Sequence, residues 1–142
     1  TTYLFTRDGR RLPLRLLGID ALSVAPISPG LLPAPAEGES RFSVFATQSV
    51  FLNTASRALL ESTAQTHIEV QAGLATRRLR VAGSVGAAGA PLAVMDIAAA
   101  QELLGWRGRI SRIDLRLVPG ASRAAFRSWP SMNRSIAGCR GF

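Results

Sequence analysis

His67-Ile68-Glu69-Val70-Gln71-Ala72-Gly73 is followed, a few residues on, by Arg78-Leu79-Arg80-Val81. Ile68, Val70 and Ala72 fall on one side of an extended chain, and His67, Glu69 and Gln71 on the other. Leu79 and Val81 oppose Arg78 and Arg80 in the same way. Successive side chains of a strand point to opposite faces, so this alternation predicts two half-buried antiparallel strands. Gly73 supplies the turn between them.

Upstream, Tyr3-Leu4-Phe5-Thr6 and Leu12-Pro13-Leu14-Arg15-Leu16 flank Arg7-Asp8-Gly9-Arg10. Asp-Gly between apolar runs is a hairpin signal, because glycine accepts positive φ without penalty. Pro13 lacks an N–H and predicts an edge position or an irregular pairing. Gly18-Ile19-Asp20 closes this unit. Ala25 to Ser40, with Pro26, Pro29, Pro33 and Pro35, reads as an extended surface loop. Ser43 to Leu52 regains β-branched and aromatic residues, and Asn53 or Thr54 is placed to cap a short helix through Glu61.

Downstream, Ser84 to Ala90 is a loop of small residues. Pro91-Leu92-Ala93-Val94-Met95 reads as a short buried strand running into Asp96, whose carboxylate suits a helix N-cap. Ile97, Ala100, Gln101 and Leu104 recur at helical spacing, and Gly105 is the expected stop. Ile113, Leu115 and Leu117 alternate with Arg112, Asp114 and Arg116, the clearest strand pattern in the chain, ended by Pro119-Gly120. Beyond Ala121 the pattern decays; Phe126 and Trp129 suit one last helical turn, and Ser131 to Phe142 has no periodicity. The expected fold class is α+β: a mainly antiparallel sheet of about five to seven strands with two or three short helices against it. Residues 1–121 form the expected domain and 122–142 a poorly patterned C-terminal tail.

The bulk properties agree with one core. The chain has 142 residues, 47% hydrophobic and 18% charged, within the range of about 100–150 residues typical of a domain. Its net charge is +8 with 17 basic residues, all of them arginine, dispersed in runs no longer than two. Base composition of the genome explains that usage at least as well as phosphate binding does. The single cysteine, Cys139, allows no internal disulfide. No uninterrupted apolar segment reaches the roughly 18–20 residues of a membrane span. The start at Thr1-Thr2, without methionine or leader, predicts a processed product or a fragment.

Residues with catalytic chemistry are sparse, so no catalytic, cofactor-binding or metal-ligating residue is assigned and no enzymatic activity or cofactor is expected. His67 lies on the polar face of a strand, better placed for solvent than for a metal. No Cys or His spacing matches a metal site. Glu37 and Glu39 fall in the loop, Asp96 is a cap, and Asp114 sits between arginines. Gly83-Ser84-Val85-Gly86 is neither a nucleophile elbow nor a phosphate loop, lacking the Lys-Ser/Thr ending. A nucleic-acid surface needs basic residues on one face with aromatics among them. Arg78, Arg80, Arg112 and Arg116 form one stripe if their strands are neighbours, but no aromatic lies between Arg78 and Arg80 or between Arg112 and Arg116. A stand-alone basic nucleic-acid-binding module is therefore the alternative, and a small hydrolase a third, weaker reading.

The run from Pro91 to Gly105, continuing through Gly108 to Leu117 and Pro119-Gly120-Ala121, resembles a recurrent passage in FtsX/MacB-like ABC transporter permeases. There, a strand gives way to an aspartate-capped helix bearing Ala-Gln, then a strand of the type R-I-D-x-x-L and a P-G-A turn. Leu16-Leu17-Gly18-Ile19-Asp20 resembles the strand ending in Gly-hydrophobic-Asp of the same extracytoplasmic domain. Val50 through Leu60, Ile68 to Gly73 and Leu79 to Gly83 follow in the family's order, so the resemblance covers roughly Thr2 to Ala121. Glu61 to Gln65 replaces the family's Gly-Asp turn, and the residues after Arg123 depart from the family's continuation.

The resemblance implies a soluble domain of an inner-membrane permease, in the periplasm or extracytoplasmic space. It would couple ATP-driven helix motion to cargo or partner handling. The implied partners are the permease's own transmembrane helices, a cytoplasmic ABC ATPase subunit, and an extracytoplasmic partner protein or lipid or lipoprotein cargo. No specific nucleic acid is implied.

Overall fold

The structure is a computed structural model, and it describes residues 2–6, 8–60 and 65–124. These form two units, one within Thr1–Arg109 and one beginning at Ile110. The first contains strands β1 (Thr2–Phe5), β2 (Arg11–Ile19), β3 (Ala34–Pro35), β4 (Ser49–Leu52), β5 (His67–Ala72), β6 (Ala75–Ser84) and β7 (Leu92–Asp96), with helices α1 (Thr54–Ala58) and α2 (Ile97–Leu104).

The expected α+β sheet is corrected to a closed β-barrel. The strands run in the order β3-β6-β4-β7-β2-β1-β5, and β5 pairs back onto β6. With β3 set aside as an extra strand, the other six form a ring, and the two α-helices are short. Two of the pairings, β2 with β7 and β4 with β6, are parallel. The ten-residue β6 makes closure possible. Its Ala75–Arg80 half pairs with β5, while Arg80 to Ser84 pairs with β4 on the opposite edge. Where β5 ends, β3 takes over the same edge of β6 through Ala34↔Ser84 and Pro35↔Gly83.

Both local hairpins form as their sequences predict. Phe5 faces Arg11 across the Asp8-Gly9 turn, and Gly9 has φ +80. Ala72 faces Ala75 across Gly73-Leu74, and Gly73 takes the φ of +61 that suits the first central position of a type II′ turn. Pro13 is tolerated for the reason its ring demands. The Arg15 N–H donates to the Pro91 carbonyl at 3.0 Å, and β7 starts only at Leu92, so the same edge at Pro13 requires no donor.

The barrel interior is filled by the inward residues of every strand: Leu4, Leu14, Val50, Ile68, Val70, Leu79 and Met95 among them, each under 3% exposed. Ala99 and Ala100 of α2 join this core. Each fully buried Leu, Ile or Met contributes about 1.5–3 kcal/mol relative to exposure. α2 approaches β2 closely because Gly18 has no side chain; a Cβ there would lie 2.6 Å from the Ala100 Cβ. Outside the barrel wall, Phe51, Val94, Ala82 and Ile19 form a second cluster under Val24, Leu31 and Val44. The stretch read as an extended surface loop is therefore a flap held over the barrel wall by apolar packing and by β3.

Asp96 caps α2, accepting from the Ala98 and Ala99 N–H groups at 2.9 and 3.1 Å, and Gly105 ends it with φ +67. Asp96→Ala is expected to lower stability by about 0.5–2 kcal/mol, read as a fall in the urea midpoint at unchanged slope.

In the second unit, the strand expected over Ile113 to Leu117 does not form. Ile113 and Leu115 are 60% and 51% exposed, and the segment is irregular. Alternation presents a face but supplies no neighbour, and the described residues from 110 to 124 contain no second strand with which to pair. Phe126, Trp129 and Cys139 lie outside the described residues. Among the described residues no helix is long and apolar enough to cross a membrane.

Candidate functional site

The outer wall of the barrel over β2, β1, β5 and β6 carries polar and aromatic side chains in cross-strand rows. One cross-strand row reads Arg11, Phe5, Glu69, Arg78, set by the registers Phe5↔Arg11, Phe5↔Glu69 and Glu69↔Arg78. The Arg11 guanidinium lies 4.6 Å from the Tyr3 ring centre and 5.8 Å from that of Phe5. Both are cation–π distances. Its Nη2 donates to Gln71 Oε1 at 2.7 Å, and the Thr2 hydroxyl donates to the Gln71 carbonyl. This end of the sheet is thus tied together ahead of the β5–β6 turn.

A half-open groove of about 440 Å³ adjoins the row, lined by Phe5, Thr6, Gln65, Thr66, His67, Glu69 and Arg78. His67 Nδ1 is 3.0 Å from the Thr66 hydroxyl. The neighbouring Arg80 is committed to structure: it binds the Glu39 carboxylate and donates to Ser49 Oγ at 3.2 Å. That ion pair pins the flap to the barrel, so Glu39 is an anchor where the sequence showed only a loop carboxylate. In the β1–β2 turn, Asp8 is lowered from its ordinary value by the Thr6 hydroxyl and then by Arg10; past the other end of β2, Asp20 is lowered by the Ser23 hydroxyl and the Leu22 N–H.

The four-arginine stripe expected from sequence is not built as such. Arg78 and Arg80 share the outward face of β6, whereas Arg112 and Arg116 lie on no strand and belong to the second unit. Arg112 pairs with Asp114 at 2.6 Å. One aromatic, Phe5, does stand between arginines, but between Arg11 and Arg78, two residues 67 positions apart that only the β1–β5 pairing brings into one row. No sequence window contains that signal. Among the described residues no group of His, Cys, Asp and Glu is placed to hold a metal ion.

A second site is structural. Asn53, 1% exposed, caps α1 by accepting from the Ser56 N–H at 2.9 Å, and also accepts from the Leu92 N–H at 3.0 Å. Its amide nitrogen donates to the Ala87 and Ala90 carbonyls at 3.2 and 3.0 Å. One side chain thus fixes α1, the start of β7 and the loop of small residues from Ser84 to Ala90. The sequence predicted the cap; the three further bonds follow from the β4–β7 pairing. Comparison of the chain with protein families, curated proteins and solved structures finds no match.

Proposed function

We propose that this barrel is the extracytoplasmic domain of an FtsX/MacB-like ABC permease, carrying the ATP-driven motion of membrane helices to cargo or a partner outside the cytoplasm. The observation that carries this reading is the union of its two most family-like passages. Leu16 to Asp20 and Pro91 to Gly105 are more than 70 residues apart, yet they form the parallel β2–β7 pair with Gly18 opposite Met95. α2 then seats Ala100 on Gly18. The glycine and the alanine-rich helix of the resemblance serve one packing contact.

Barrel closure supports a rigid relay. Sliding one strand of a closed ring breaks register on both of its edges, whereas an open sheet yields at its rim. The first test is the gene: an apolar span of about 20 residues on each side of this segment and a companion ATPase are expected, and their absence overturns the reading. In that permease, a disulfide between cysteines at Gln71 and Thr76, which face each other on β5 and β6, is expected to leave ATP-coupled activity intact. Loss of coupling with folding preserved shows that the domain deforms internally during the cycle.

A stand-alone nucleic-acid module is the second reading, drawing on the Arg11–Phe5–Glu69–Arg78 row. Glu69 in its middle opposes a phosphate backbone there, so any such binding is expected to be nonspecific and abolished by salt.

A further inference from the structure

The β5–β6 hairpin ends in Ala72-Gly73-Leu74-Ala75, and Leu74 at its tip is fully exposed, at 108% of the reference area. Arg77 and Arg78 follow after Ala75 and Thr76. Arg77 pairs with the inward-facing Val70 and Arg78 with the outward-facing Glu69, so the two guanidinium groups leave opposite faces of the hairpin, and both residues are exposed. Arg11, bonded to Gln71 and stacked on the exposed Tyr3 ring, stands beside the same end of the sheet. The result is an apolar tip within a collar of cations and one amphipathic aromatic.

We propose that this hairpin tip docks on an anionic lipid surface, with Leu74 entering the headgroup region and Arg77, Arg78 and Arg11 contacting lipid phosphates. Charge complementarity selects the occupant: in a chain of net charge +8, Arg77 and Arg78 stand three and four residues behind the tip, and the Arg11 guanidinium reaches toward it as far as Gln71. The tip residue selects between anionic surfaces. A leucine projecting beyond the cations gains nothing from a nucleic-acid phosphate backbone but is desolvated by lipid. Tyr3, behind the tip and under the Arg11 guanidinium, matches the preference of its ring for the headgroup boundary. Glu69 stands directly opposite Arg78 in the same row as Arg11, whereas Arg77 faces Val70. The proposal stands independently of the permease reading, because it concerns only what this surface contacts.

The test is co-sedimentation of the whole 142-residue chain with phosphatidylcholine vesicles, with and without phosphatidylglycerol. Binding to the anionic vesicles alone is expected. Each arginine near such a surface is worth about a fivefold change in partitioning, so R77Q/R78Q is expected to weaken binding about 25-fold, and Leu74→Glu by about tenfold or more. Both variants alter exposed residues, and an unchanged denaturant midpoint verifies their folding. Absence of binding by the parent chain, or equal binding by both variants, overturns the proposal. So does binding that survives Leu74→Glu, falls in R77Q/R78Q and is competed by single-stranded DNA, which marks a general polyanion site.

Discussion

Asn53→Ala is expected to lower stability by about 3–5 kcal/mol, well beyond an ordinary cap deletion. The side chain satisfies two N–H donors and two carbonyls in a site only 1% exposed. Truncation strands the Leu92 and Ser56 N–H groups, and a buried group without its partner costs about 1–3 kcal/mol. Asn53→Asp separates this network from simple size. It keeps the volume and the acceptor but turns an oxygen toward the Ala87 and Ala90 carbonyls. With the donor lost, the Ala87 and Ala90 carbonyls face an oxygen, so this variant is expected to lose stability at neutral pH although its volume and acceptor are kept. Urea melts of both variants measure it; an unchanged midpoint in Asn53→Asp rules out the donor role.

Gly83→Ala is expected to cost about 3 kcal/mol, an overpacking effect at the upper end of the usual range. A Cβ at this position falls inside the contact distance of the Ala34 carbonyl and lies 2.9 Å from Phe51 Cδ1. Phe51 is completely buried in the outer cluster, so it has no free volume into which to retreat. The least costly relief is detachment of β3, which pairs with β6 over only two residues. Hydrogen exchange discriminates the outcome. The Ala36 N–H, bonded to the Ala82 carbonyl at 2.9 Å, is expected to lose protection before the β5–β6 amides do. Uniform loss of protection across the barrel shows that the flap and barrel unfold as one unit.

Local elements were legible because their causes are local. Asp8-Gly9 and Gly73 provide the turn backbone, the alternation of Ile68-Val70 and Leu79-Val81 puts apolar side chains on one face, and Asp96 and Gly105 bracket α2. The same pattern misled at Ile113 to Leu117, where amphipathic alternation has no neighbouring strand to meet in the described unit. The candidate surface was half legible: Arg78 was legible in the alternation of its strand, whereas Leu74 was not, and Tyr3 and Arg11 join the surface only through the β1–β5 and β1–β2 pairings.

The residues themselves determined which segments extend, where they turn and which face of each is apolar, since those properties depend on backbone sterics and side-chain period within a few positions. Tertiary structure alone decided that the sheet closes. Closure depends on β6 pairing with β5 along one half and β4 along the other, an arrangement of edges that no local pattern encodes. It also assigned Gly18, Asn53 and Gly83 their roles, because a missing Cβ or a buried amide acquires meaning only from the atoms that distant parts of the chain bring against it.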